Sequence, residues 1–254
     1  MRRRIAGAWL GLAAMLFAGA CAAEAVADGT YRFYGYAYDL ESNRYLYTEV
    51  HRATIVDRRW KGGTIDYFAP DGRRIGHKDL SFATDPFIPV FRFEMPELGY
   101  AESITGLDPR VELSRSEKGK AAQKALERKP DMAADSGFHN YLLAHFQELL
   151  AGKAVPFVFV AAGRLDAFKF RAKRIEDTTW EGRKAVRFQV EADSLLRLVA
   201  PSLLVTYDPE QERLLEYRGI SNVHDPATGE PFNVRIAYHT DPPPDAPRPL
   251  PPLE

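Results

Sequence analysis

The sequence predicts a mainly β protein with two helices, in which an antiparallel curved sheet or half-barrel wraps around a central apolar helix. Three observations carry this. Short runs rich in aromatic and β-branched residues recur along most of the chain, with turn-forming residues between them. Helical patterning is confined to one block in the middle. Strand-like segments flank that block on both sides, which fits no parallel βαβ layout.

The chain opens with Arg2, Arg3 and Arg4, an apolar run from Ile5 to Phe17 and then small residues, the layout of a secretory signal peptide over residues 1–27. The run is too short for a mature membrane-spanning helix. Ala25-Val26-Ala27 supplies small side chains at the positions before a cut, so the expected mature chain starts at Asp28 and discards Cys21. The alternative is a lipid anchor at Cys21, but a lipoprotein signal wants a Leu-like residue three positions earlier, where Ala18 stands. The expected address is exported and periplasmic, with lipid anchoring at Cys21 the alternative.

Removal of Arg2, Arg3, Arg4 and Glu24 from 34 basic and 35 acidic residues leaves a formal charge of −3. Such a near-neutral balance lacks the basic face that nucleic acid requires. Cys21 is the single cysteine, so the predicted mature chain holds neither disulfides nor thiolate-metal sites.

Residues 28–240 read as one β-rich domain. "TYRFYGYAYDLESNRYLYTEVHRATIV" is two strands joined by a turn at Glu41-Ser42-Asn43. Pro70-Asp71-Gly72 makes the clearest hairpin, because Pro presets φ and Gly accepts positive φ. "FIPVFRFEM", "GYAESIT" and "RVELSR" continue the meander. A helical insertion is expected at about 116–152. "EKGKAAQKALERK" is charged and Ala-rich and reads as a solvated helix ended by Pro130. A second helix starts with Ser136 as N-cap, buries Phe138, Tyr141, Leu142, His145 and Leu149, and stops at Gly152.

Strands then resume as "VPFVFVAAG", "DAFKFRAKRI", "KAVRFQVEAD", "SLLVTYD", "RLLEYRGISN" and "FNVRIAYHT". In the second of these, Phe168, Phe170 and Ala172 alternate with Lys169, Arg171 and Lys173, giving one apolar and one basic face. The basic face suits either lipid headgroups or pairing with Glu191 on the next strand. Residues 241–254 contain seven prolines in fourteen residues and are expected to form a disordered, polyproline-II-like tail.

No G-x-S-x-G, H-E-x-x-H, Walker loop or G-x-G-x-x-G is present. His139 and His145 stand six residues apart, about 240° round a helix, so they do not chelate one ion. His145 reads as half-buried on the apolar stripe and His139 as solvated. His77 with Asp79, and His51 with Glu49, are same-face pairs that fit a general base or, more simply, the polar outer face of a strand. "SLLRLVAPSLL" reads as core, with a lid or a membrane-dipping loop as the sharper alternative.

The signal segment, the meander, the apolar helix before "VPFVFV" and the stretch "LLVTYDPEQERLLEYRGISN" together resemble exported bacterial β-proteins of unknown function. More distantly, they resemble the lipoprotein-carrier half-barrels of the LolA/LolB type. The resemblance is one of layout across residues 30–240, and it implies a non-catalytic role in the cell envelope. No functional residue is carried over from it.

The leading expectation is a periplasmic protein that binds a hydrophobic or amphipathic ligand, a lipid or other small molecule. The candidate wall is Tyr34, Tyr36, Tyr38, Phe138, Leu142, Phe168, Phe170, Leu195 and Leu198. Peripheral membrane contact is part of this reading. The alternative is a structural or assembly protein acting through an envelope protein partner, and a hydrolase built on the histidine pairs ranks last. No catalytic residue, metal ligand or cofactor is assigned.

Overall fold

The computed structural model describes residues 28–193, 202–238, 242–248 and 250. Eight strands form a first meander: β1 (Gly29–Asp39), β2 (Tyr45–Val56), β3 (Arg59–Phe68), β4 (Arg74–Ser81), β5 (Val90–Met95), β6 (Tyr100–Gly106), β7 (Arg110–Glu117) and β8 (Lys120–Glu127). A short β9 (Met132–Ala134) leads into helices α1 (Gly137–Ala144) and α2 (Phe146–Leu150). A second meander follows: β10 (Val155–Ala161), β11 (Asp166–Trp180), β12 (Arg183–Ala192), β13 (Leu203–Asp208), β14 (Arg213–His224) and β15 (Pro231–Ala237).

All fifteen strands belong to one sheet, because β15 pairs with β1 and joins the two meanders. Only β9 and β10 run parallel among the described pairs. The ends of the sheet, β8 and β9, do not pair with each other, so the curved sheet stays unclosed. Across that seam a 3-10 turn at Ala162–Arg164 meets the other half, where Arg115 donates to the Gly163 carbonyl (3.1 Å) and Lys124 pairs with Asp166 (2.9 Å).

The expected hairpins follow local chemistry. Gly72 adopts φ +85° in the β3–β4 turn and Asn43 adopts φ +56° between β1 and β2. The expected helix over 117–129 is instead the β7–β8 hairpin. Lys118 and Gly119 take φ +49° and +78°, a two-residue turn with Glu117 opposite Lys120. Helix propensity in this Ala-rich run amounts to tenths of a kcal/mol per residue, and the ladder from Arg110 to Glu127 outweighs it.

The helical insertion is accordingly shorter than expected. Ser136 makes no side-chain cap, because its hydroxyl donates to Asp135 (2.8 Å). The single helix expected from there breaks at His145 (φ −110°, ψ 16°) into α1 and α2. Tyr141, Leu142, Phe146 and Leu149 are buried against Phe157, Ala172, Val186, Phe188, Val205 and Tyr207, so the helices cover one face of β10–β13.

The opposite half is reached through Asn140, which is fully buried. Its amide donates to the carbonyls of Trp60 and Pro86 (both 2.9 Å), and its oxygen accepts the Trp60 N–H (3.2 Å). Asn140→Leu strands all three backbone groups, and each buried group left unpaired costs about 1–3 kcal/mol. The expected result in urea unfolding is a loss of about 3 kcal/mol. A loss below about 1 kcal/mol would mean that the tether is not what joins helix and sheet.

Of the segment expected as a disordered tail, residues 242–248 and 250 are described. Ala246 is buried and Leu250 packs beside it, both against Tyr34, Tyr36, Tyr38, Tyr45, Val50 and Phe68 on one face of β1–β3. Seven prolines deny this segment a place in helix or sheet, but an aromatic face needs only apolar surface to hold it.

Candidate ligand cavity

Side chains on a strand alternate between two faces, and in β1 and β2 the register assigns them. Gly35 lies opposite Glu49 and Ala37 opposite Tyr47 on the inner face, while Tyr34 opposes Val50 and Tyr36 opposes Thr48 on the other. A Cβ at Gly35 would stand 2.8 Å from Glu49 Oε2 and 2.9 Å from Tyr238, so glycine makes the room that both inner side chains occupy. Between this half of the sheet, the helices and β10–β14 lies a cavity of about 1400 Å³.

One wall is aromatic. Phe157 opposes Phe170 and Phe159 opposes Phe168 across β10 and β11. Phe138 of α1 packs on Phe157 (centroids 5.5 Å apart) and Phe159 (6.4 Å), and Leu143, Val190 and Leu203 extend the surface. The cavity reaches the outside at Phe168 and Ile220, which are 41% and 54% exposed.

The facing wall is polar. Lys78, the one buried Lys or Arg among the described residues, donates to Asp135 at 2.6 Å with Phe91 and Phe93 beside its ammonium. Burial alone would raise the Asp135 carboxyl, but the Lys78 charge and hydrogen bonds from Lys78 and Ser136 hold it below its ordinary value. Asn222 also donates to Asp135 (3.3 Å). Glu102 accepts the Tyr100 hydroxyl (2.8 Å), and burial raises its carboxyl despite the nearby Lys78 charge. Gly163 permits this pair, since a Cβ there would fall 2.2 Å from Glu102 Oε2.

His51 and Glu49 belong to the same wall. Both are buried, His51 Nε2 lies 2.9 Å from Glu49 Oε2, and the imidazole stacks on Phe33 at 4.4 Å. His51 Nδ1 is buried without a hydrogen-bond partner among the described residues. The expected outer-face position of this pair is corrected here: Tyr47, Glu49, His51 and Ala53 form the inner set of β2, and Arg52 and Thr54 face water. The outer-face reading holds for His77, which lies 2.8 Å from Asp66 and 3.1 Å from Asp79, with Asp79 mostly exposed.

His139, expected to be solvated, borders the cavity and stacks on Tyr207, whose hydroxyl lies 2.9 Å from Nδ1. Burial pushes its imidazole down to about 4. His145, expected to be half-buried, is half-buried at the helix break and pairs with Glu148 (3.0 Å).

Of the sequence-nominated wall, Phe138, Phe168 and Phe170 border the cavity. Tyr34 borders it and also packs in the outer aromatic cluster. Tyr36 and Tyr38 belong to that outer cluster with Ala246 and Leu250, and Leu142 is fully buried in the helix-sheet core. Leu195 and Leu198 lie outside the described residues, as do Cys21 and the segment 1–27. The basic stripe pairs as one alternative held: Arg171 and Lys173 reach Glu191 at 2.6 and 3.1 Å. Among the described residues no three His, Cys, Asp or Glu gather as a metal site, and no helix is long and apolar enough to cross a membrane.

Fold and cavity together define the class: an incompletely closed, β-barrel-like protein with an interior that is aromatic on one side and charged on the other. Among solved structures, the chain is similar to a β-barrel-like protein of domain of unknown function DUF1849 from Brucella abortus. The TM-score is 0.43 and the identity 8%, with 83% of this chain and 95% of that chain covered. No family model matches the chain, and no curated protein matches it.

Proposed function

We propose that this protein is a non-catalytic carrier of the bacterial cell envelope that holds an amphipathic molecule inside its curved sheet. The observation behind the reading is the cavity of about 1400 Å³, with five phenylalanines on one wall and buried polar groups on the other. Small-molecule pockets commonly span about 300–1000 Å³, so this one has room for an acyl chain and its head. The leader-like residues 1–27 support the envelope address. Carriage of an acylated protein, as in half-barrels of the LolA/LolB type, is one form of the proposal. Lys120 and Lys124 on the exposed edge strand β8 disfavour the rival reading of strand-to-strand docking with a partner.

The test is native mass spectrometry of protein purified from an envelope fraction, followed by its denatured mass and by rebinding of a fluorescent acyl probe to the delipidated protein. The expected result is a chain starting at Asp28 with non-covalent mass that is lost on denaturation. Probe binding should be weakened by Leu143→Trp, which narrows the cavity beside its aromatic wall. A delipidated protein that ignores the probe, or a Leu143→Trp protein that folds and binds it unchanged, would overturn the carrier reading.

A further inference from the structure

The polar wall is uneven in charge. Its buried acidic and basic groups are the carboxyls of Glu49, Glu102 and Asp135 against one ammonium and the His51 imidazole; the ammonium is committed to Asp135 and the imidazole Nε2 to Glu49, so carboxyls remain in excess. The half-buried and exposed charged groups that also line the cavity, five Arg and three Glu, are reached and screened by solvent, so the acidic excess belongs to the buried wall alone. Arg115 is the cross-strand neighbour of Glu102, but its guanidinium donates to the Gly163 carbonyl. Tyr67, also buried, lines the same cavity.

A second observation points the same way. His51 is 4% exposed and its Nδ1 has no partner among the described residues, although buried nitrogens are ordinarily hydrogen-bonded. With Nε2–H donated to the Glu49 carboxylate, Nδ1 presents a lone pair to a donor.

We infer that this wall receives the ligand's head and selects one that donates hydrogen bonds and bears no negative charge, a hydroxyl or an ammonium, over a carboxylate or phosphate. The inference rests on the carrier reading and specifies its ligand class. An anionic head would be brought against Glu49, Glu102 and Asp135 in a water-poor interior, where like charges repel far more than in bulk water. A hydroxyl or ammonium meets acceptors at each of them and at His51.

The experiment uses delipidated full-length mature protein and three probes with the same twelve-carbon chain: monolaurin, dodecylamine and laurate. Each competes with the fluorescent acyl probe at neutral pH, below micelle-forming concentrations. Monolaurin and dodecylamine are expected to bind roughly tenfold or more tightly than laurate. Glu102→Gln and, separately, Glu49→Gln should raise laurate affinity and shrink that ratio, and the second variant keeps the test valid where the first fails to fold. Laurate binding as well as the other two, or a ratio that neither variant moves, overturns the inference and leaves the carrier reading standing. Failure of all three probes overturns the carrier reading and the inference with it.

Discussion

Lys78→Met is expected to cost about 3 kcal/mol of unfolding free energy, because removing one member of a buried ion pair leaves the other as an uncompensated charge. Lys78 and Asp135 are 3% and 8% exposed at their side chains, and their contact ties β4 to the segment that leads into α1. Adding Asp135→Asn should restore most of the loss. Asparagine tolerates the φ of +45° at this position and keeps an oxygen for the Ser136 N–H. The measurement is a double-mutant cycle in urea, and independent losses that simply add would refute the pairing argument.

The same pair sets a pH dependence. The Asp135 carboxyl is held below its ordinary value of 3.8, so it contributes stability that is present above that pH and is lost as pH falls through its folded-state value. The acid limb of the stability curve should flatten when Asp135→Asn is introduced, and an unchanged limb would show that other groups govern acid unfolding.

Gly137→Ala is expected to cost about 3 kcal/mol or more, at the upper end of overpacking effects. A Cβ at this first residue of α1 would fall 2.0 Å from the Phe87 carbonyl oxygen and 2.5 Å from its carbon, both backbone atoms. Phe87 cannot yield easily, because its carbonyl accepts the Ala134 N–H (3.0 Å) and its ring packs on Tyr141 (5.2 Å). The helix must therefore move, and Asn140 then leaves Trp60 and Pro86. Gly152→Ala serves as the control. Its φ of +80° is strained for alanine but nothing lies within 4 Å of a Cβ there, so about 1 kcal/mol is expected. Equal losses for the two variants in urea unfolding would mean that the close approach at Phe87 is unimportant.

Much of the chain order was legible because local chemistry decides it. Turn residues with positive φ, such as Gly72, and alternating aromatic strands mark their elements without help from the rest of the molecule. Thirteen of the fifteen strands stand where the pattern places them. The two missed, β8 and β9, are an Ala-Lys run whose composition favours helix and a three-residue strand too short to carry a period.

The candidate site was legible only in part. Phe138, Phe168 and Phe170 sit in clean periodic patterns and do border the cavity. Glu49 and His51 stand out as a same-face pair but not as an inner one, since β2 mixes polar and apolar residues on both faces. Lys78, Glu102 and Asp135 come from three separated segments, and no local spacing announces that they meet.

By itself, then, the sequence determined the strands and their turns, the near-neutral charge and the broad apolar face of the helix, because each depends on neighbours a few residues away. The tertiary structure decided which face of each strand is inside. A period of two separates the faces without naming the buried one, and in β1 and β2 both are largely buried: one around Glu49 and His51, the other against Ala246 and Leu250. It also decided that a helix-prone segment became a sheet edge, and that charges far apart in the chain share one wall. Both outcomes come from long-range pairing, whose energy exceeds the local preferences that a sequence displays.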